Sequence, residues 1–230
     1  MKKIFSITVL LMAMVCPLHA EIETTIGADV VSRYIWRGFD LGDASLQPSL
    51  GVGAGGFELS LWGSTGIVRA ADTKELDITI SYGIAGLSVG VADYWFNVGP
   101  EPHGRYFKYE EETTNHVFEA FVGYDFGFAS LTWYTNFAGN DFKDDGDRAF
   151  SSYFEAAAPF SAGGLDWTAS IGVVPFGTPF YGTDGFAVTN LTLTASKELG
   201  ITDSFSLPVS AGLTVNPSSE MAYFVFGISF

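Results

Sequence analysis

The chain has 230 residues and a net charge of −15, from 26 acidic and 11 basic side chains, with 47% hydrophobic and 16% aromatic residues. Such acidity excludes a nucleic-acid partner and a polybasic membrane-surface role, because both need an excess of Lys and Arg. One cysteine, Cys16, gives no disulfide framework, and no apolar run after residue 20 approaches the ~18 residues of a membrane-spanning helix.

Residues 1–20 read as a secretory signal peptide: Lys2-Lys3, an apolar run over 4–15, and Leu18-His19-Ala20 before Glu21. Met14-Val15 lack the small residues that lipidation at Cys16 would need. Cleavage removes Lys2 and Lys3, so nine basic side chains face 26 acidic ones and the mature net charge is −17. Residues 21–230 then form one domain without linker, repeat or low-complexity tract.

From residue 21 onward, segments of roughly ten residues alternate apolar with small or polar side chains, the period of a strand with two unlike faces. In chain order they cover 21–37, 45–53, 57–67, 74–84, 87–96, 116–125, 128–137, 150–160, 165–174, 186–197, 205–215 and 221–230. Every second connection is tight, around Ala54-Gly55, Ala85-Gly86, Phe126-Gly127, Ala162-Gly163 and Gly200-Ile201. The others are longer or more polar: 38–44, 68–73, 97–115, 139–149, 177–185 and 216–220. Sorting of loop lengths by parity predicts an all-β fold, a single antiparallel transmembrane barrel of about twelve strands with short periplasmic turns and longer extracellular loops.

The faces support this. Leu59, Leu61, Leu76, Ile78, Ile80, Leu207, Val209 and Leu213 fall on faces almost free of charge, with Asp93 and Lys197 as exceptions near strand ends. The opposite face is polar and small, with many Gly and Ser that favour open space. The closing strand, MAYFVFGISF, places Phe224, Phe226 and Phe230 outward, the C-terminal signature of an outer-membrane barrel and the handle for barrel-assembly machinery.

Function would then sit inside. Asp29, Arg33 and Arg37 on a long first strand face the lumen, opposed by Glu58, Asp77, Glu119, Asp125, Glu155 and Asp166. These form either ion-pair networks that rigidify the interior or an opposed-charge constriction for solutes in transit. Tyr34, Trp36 and Trp95 suit an interfacial aromatic girdle. The loop 97–115 could fold inward or bind an external ligand. Asp141, Asp144, Asp145 and Asp147 are a weak Ca²⁺ candidate whose spacing misses the EF-hand pattern. Catalysis has little to stand on: His116 opens its strand at the outer end, and Ser130 lies toward the other end.

The run Val31-Ser32-Arg33-Tyr34-Ile35-Trp36-Arg37-Gly38, with Gln47-Pro48-Ser49-Leu50, Leu61-Trp62-Gly63-Ser64, Leu76-Asp77-Ile78 and Asp93-Tyr94-Trp95-Phe96, resembles the TorF-type porins and related uncharacterised Gram-negative barrels. That family opens with an aspartate before the tyrosine and a phenylalanine before Arg-Gly, where Arg33 and Trp36 stand here. The resemblance implies an outer-membrane location and a channel, and marks Tyr34, Arg37 and Gly38 as motif positions.

The expectation is a non-enzymatic, cofactor-free outer-membrane channel for small polar solutes or cations, with lipid, lipopolysaccharide and the assembly machinery as partners. Alternatives are a closed structural or adhesive barrel acting through its loops, or a barrel hydrolase.

Overall fold

The computed structural model describes residues 21–68, 73–97 and 104–230; the expected signal peptide and residues 98–103 of the longest loop lie outside the described residues. The strands are β1 (Glu23–Val31), β2 (Tyr34–Trp36), β3 (Phe39–Gly42), β4 (Ser45–Ala54), β5 (Phe57–Gly66), β6 (Lys74–Ile84) and β7 (Leu87–Asn97). They continue as β8 (His116–Asp125), β9 (Ser130–Gly139), β10 (Ser152–Ala162), β11 (Leu165–Val174), β12 (Ala187–Thr202), β13 (Phe205–Asn216) and β14 (Met221–Ser229). Twelve of these close into one antiparallel barrel, in which β1 pairs with β14 on one side and β4 on the other. The expected twelve-stranded barrel is therefore present. The strands β2 and β3 form a separate two-stranded sheet.

Period-two alternation gives each barrel strand two environments. Ile26, Leu50, Leu59, Val91, Val122, Leu193, Leu213, Phe224 and Phe226 lie exposed on the outer wall. The buried set is dominated by polar groups, among them Glu75, Glu119, Asn136, Asn190, Thr214 and Asn216. This is the reverse of a water-soluble sandwich, which buries its apolar face. An apolar belt around a closed sheet with a polar interior fits a membrane-type barrel, where every backbone group must pair within the sheet.

The two rims differ. One carries tight turns in which Gly55-Gly56, Ala85-Gly86 and Gly163-Gly164 adopt positive φ. The turn after β12 falls at residues 203–204 rather than 200–201, because β12 continues to Thr202 through an irregularity in its pairing with β13. The other rim carries the long connections.

The first strand departs most from expectation. A single strand over 21–37 was predicted, but β1 ends at Val31 and the chain turns inward as the β2–β3 hairpin. The ladder also closes thinly at this point. The β1–β14 seam has three residue pairs, Asp29 with Ser229, Val30 with Ile228 and Val31 with Gly227, against eleven between β12 and β13. Backbone bonds between Phe230 and Ala28 (3.0 and 3.2 Å) and from Ser32 to Phe226 (2.8 Å) extend it.

Candidate functional site

The β2–β3 hairpin turns through two residues, Arg37 (φ 52°) and Gly38 (φ 85°). Positive φ at both central positions is the I′ geometry whose twist suits a two-residue hairpin. Glycine adopts it freely, whereas Arg37 is held there against a local preference. What holds it lies across the lumen.

Near the base, the Tyr34 hydroxyl donates to Glu75 on β6 (2.8 Å), and the Tyr34 ring sits 5.5 Å from Trp62 on β5. At the tip, Arg37 donates through both terminal nitrogens to Glu119 on β8, at 2.6 and 2.8 Å, and also to the Tyr181 hydroxyl at 2.5 Å. Glu119, fully buried, further accepts from Tyr94 on β7 at 2.9 Å. The guanidinium carbon lies 4.4, 4.2 and 4.6 Å from the ring centroids of Trp36, Tyr134 and Tyr153. A bidentate carboxylate, a phenol and three aromatic faces around one guanidinium form a cationic cage.

Tyr181 and Phe180 reach this cage from the loop between β11 and β12. The Trp36 ring stacks on Tyr181 at 6.2 Å and meets Phe180 edge-on at the same separation. Burial pushes the Tyr181 phenol up, so it stays protonated beside Arg37. Gly38 seats against the opposite part of the wall: its carbonyl accepts from the Asn216 amide (3.1 Å), and a Cβ there would overlap the Thr189 carbonyl oxygen. Two bulges flank this socket. One places Phe137 outside the β8–β9 register next to Glu119, the other leaves Thr189 as the extra residue of β12. Bulges re-aim side chains, and here they set the landing points of the tip.

The hairpin and the inward loop therefore occlude the lumen toward the long-loop rim. This corrects the placement of Tyr34 and Trp36, which are not girdle residues on the outer wall but packing elements inside it. It also corrects the idea of two arginines stacked on one face of the first strand. Arg37 crosses to Glu119, while Arg33 stays within the hairpin segment, paired with Asp40 and, at 3.6 Å, with Asp43.

The expected acidic partners do not form one ring. Asp77 lies beside Glu75, and Glu155 accepts from Tyr153 (3.0 Å) and Asn190 (3.5 Å). Asp125 accepts from the Gly127 amide (2.7 Å) and Asp166 from Ser161 (2.9 Å), both at the tight-turn rim. Glu58 shares a recess at that rim with Glu21 and Glu23, and Asp29 pairs in register with Gln47 and Ser229. Nor do the small inward residues guarantee space: Gly90 is covered by the Phe121 ring and Gly172 by Tyr153.

The loop 104–115 does not enter the lumen. It packs on the outer wall, where His116 is fully buried, its Nδ1 2.7 Å from Asp93 and its Nε2 2.6 Å from the Tyr106 carbonyl. The Tyr109 ring stacks on the imidazole at 4.3 Å, and Trp95, facing outward, meets Tyr106 at 5.5 Å. This accounts for the charge of Asp93 on an otherwise apolar face. Ser130 pairs with Asp125 at the far end of the strand, away from the imidazole.

The aspartate cluster does not converge. The Asp141 carboxylate is buried and occupied by the Ser151 amide (3.0 Å) and hydroxyl (2.6 Å), while Asp145 accepts from the Asp147 amide. Among the described residues no group of three or more His, Cys, Asp or Glu is placed to hold a metal ion. On β14, Phe224 and Phe226 pack edge-on at 4.7 Å on the outer wall, and Phe230 is exposed beyond them.

Sequence reading missed Glu75, Tyr94, Tyr134, Tyr153, Tyr181 and Asn216. Tyr94, Tyr134 and Tyr153 fall on inward positions by strand parity and could have been found that way. Tyr181 lies in a loop without periodicity and carries no such signal. No family model matches the chain, and no curated protein matches it.

Proposed function

We propose that the protein is an outer-membrane channel whose lumen is closed by the β2–β3 hairpin and opens when that hairpin leaves. The observation that carries this reading is the nature of the obstruction. Barrels of about eight strands are filled by wall side chains and those of sixteen to eighteen are open. Here a twelve-stranded wall is blocked by a separable segment held through side-chain contacts at its tip. The apolar outer belt, the rim asymmetry and the likeness of the first-strand text to TorF-type porins support the same reading.

On this reading residues 1–20 export the chain, the tight turns face the periplasm, and the long loops face the exterior. The outer wall meets lipid and lipopolysaccharide, and the Phe230 end meets the assembly machinery. The solutes are small and polar, and no catalytic step is involved.

Planar-bilayer recording of the refolded mature protein tests this. The wild type should show rare, brief openings. A variant with residues 33–43 replaced by a short Gly-Ser turn should conduct steadily, at least tenfold above the wild-type mean current. Silence in both, with intact heat-modifiable migration on gels, would overturn the channel reading. It would leave a closed structural barrel, a second reading favoured by the buried, bidentate pairing of Arg37 with Glu119.

A further inference from the structure

Below the hairpin, on the side of the lumen walled by β11 to β14 and roofed by Arg33, Tyr34, Arg37 and Gly38, lies a cavity of about 340 Å³. We infer that it is a binding site for one small neutral polyhydroxylated solute of monosaccharide size. This rests on the channel reading only for its purpose, since it names the solute class that such a channel would hold.

Charge comes first. The protein carries 26 acidic residues, yet among the described residues lining this cavity there is no carboxylate. Glu75, Asp77 and Glu119 belong to β6 and β8 across the barrel, whereas Asp29 on β1 and Glu155 on β10 adjoin the lining without belonging to it, next to Gln47 and Asn190 respectively. The charged liners among the described residues are Arg33 and Arg37. A cation entering the cavity therefore meets two guanidinium groups and no carboxylate among the described liners. An anion must compete with Asp40 and Asp43 for Arg33, and with Glu119 and the aromatic cage for Arg37. A neutral solute meets neither penalty.

The wall supplies what such a solute needs. Ser170, Thr192, Thr194, Ser210 and Thr214 present hydroxyls, which donate and accept alike and so match hydroxyl groups in any orientation. Part of this array is prearranged: Thr192 lies 2.8 Å from Thr214 and donates to Asn190 at 2.7 Å, and Asn190 reaches Glu155 at 3.5 Å. Ordered donors and acceptors reduce the entropy lost on binding. Val31, Ile35 and Val225 add apolar surface for the C–H faces of a ring. The volume is near the lower end of the range of about 300–1,000 Å³ for small-molecule pockets, which suits one monosaccharide rather than a chain.

The test is saturation-transfer NMR on the refolded mature protein in detergent micelles, with glucose, glucosamine and gluconate as probes. Glucose should receive saturation at least fivefold more strongly than either charged analogue. Thr194→Leu and Ser170→Leu, which project added bulk into the cavity, should each reduce the glucose signal at least fivefold while heat-modifiable migration confirms a closed barrel. The inference is overturned if glucose receives none, if both variants leave its signal unchanged, or if the charged analogues match it. Conductance is recorded separately. Glucose binding by a protein that never conducts keeps the site and removes the channel, whereas conductance without glucose binding keeps the channel and removes the site.

Discussion

Arg37 concentrates more interactions than any other hairpin residue described above, and its burial decides their worth. A buried ion pair is weak evidence of stability, but removing one partner strands the other charge. Arg37→Ala leaves Glu119, fully buried, with Tyr94 as its one donor among the described side chains. The expected loss is about 3–5 kcal/mol, read as a shift in the denaturant unfolding midpoint. The double variant Arg37→Ala/Glu119→Ala should lose less than the sum of the single changes, because neither charge is then left alone. Arg37→Lys should fall between, since an ammonium cannot reproduce the bidentate fork or stack on three rings. At the adjoining position, Gly38→Ala combines a left-handed backbone with overlap on Thr189. It should unseat the tip and raise open probability in bilayers without altering the fully open conductance. A changed single-channel conductance would show that Gly38 shapes the pore itself.

At the scale of elements, a hairpin and a loop fold in opposite directions, and each covers what would otherwise be a polar liability. The hairpin satisfies Glu119 inside the wall, and the loop 104–115 satisfies Asp93 and His116 outside it. Isolated charge on an outer face at the depth of the apolar belt would cost about 2–4 kcal/mol if it were a midplane Lys or Arg, and somewhat less for an acid. His116→Ala removes the link between Asp93 and the loop backbone. Limited proteolysis should then cut within residues 104–115 about tenfold faster, which corresponds to ~1.4 kcal/mol of lost docking, while the barrel stays intact. An unchanged cleavage rate would place the anchorage in the Tyr106 and Tyr109 rings instead. Part of this arrangement was readable in the chain. Asp93 was a visible exception on an outward face, but its partner lies 23 positions away and the covering loop has no period.

For the whole molecule, the barrel is closed unevenly. The three-pair seam between β1 and β14 is the shortest contact in a wall whose β12–β13 ladder has eleven. Sub-global opening follows the regions with fewest protecting contacts. Amide hydrogen exchange should therefore be at least tenfold faster over residues 28–32 and 226–230 than at the centre of β12–β13. Equal protection would indicate that the barrel opens only as a unit.

The sequence by itself determined the cylinder: which residues form strands, which face each side chain takes, and which rim carries the tight turns. These follow from period-two alternation and turn chemistry, both local along the chain, and each strand records its two surroundings in its own text. Only the tertiary structure decided what fills the cylinder. The segment after Val31 can continue as a strand or fold back at Arg37-Gly38, and its alternation suits either course. The choice is made by Glu119, Tyr181 and Asn216, which lie 82, 144 and 178 positions away from the tip residues they touch. Contacts at such separations exist only once the barrel has closed, because closure is what brings β8, β13 and the inward loop around the hairpin tip.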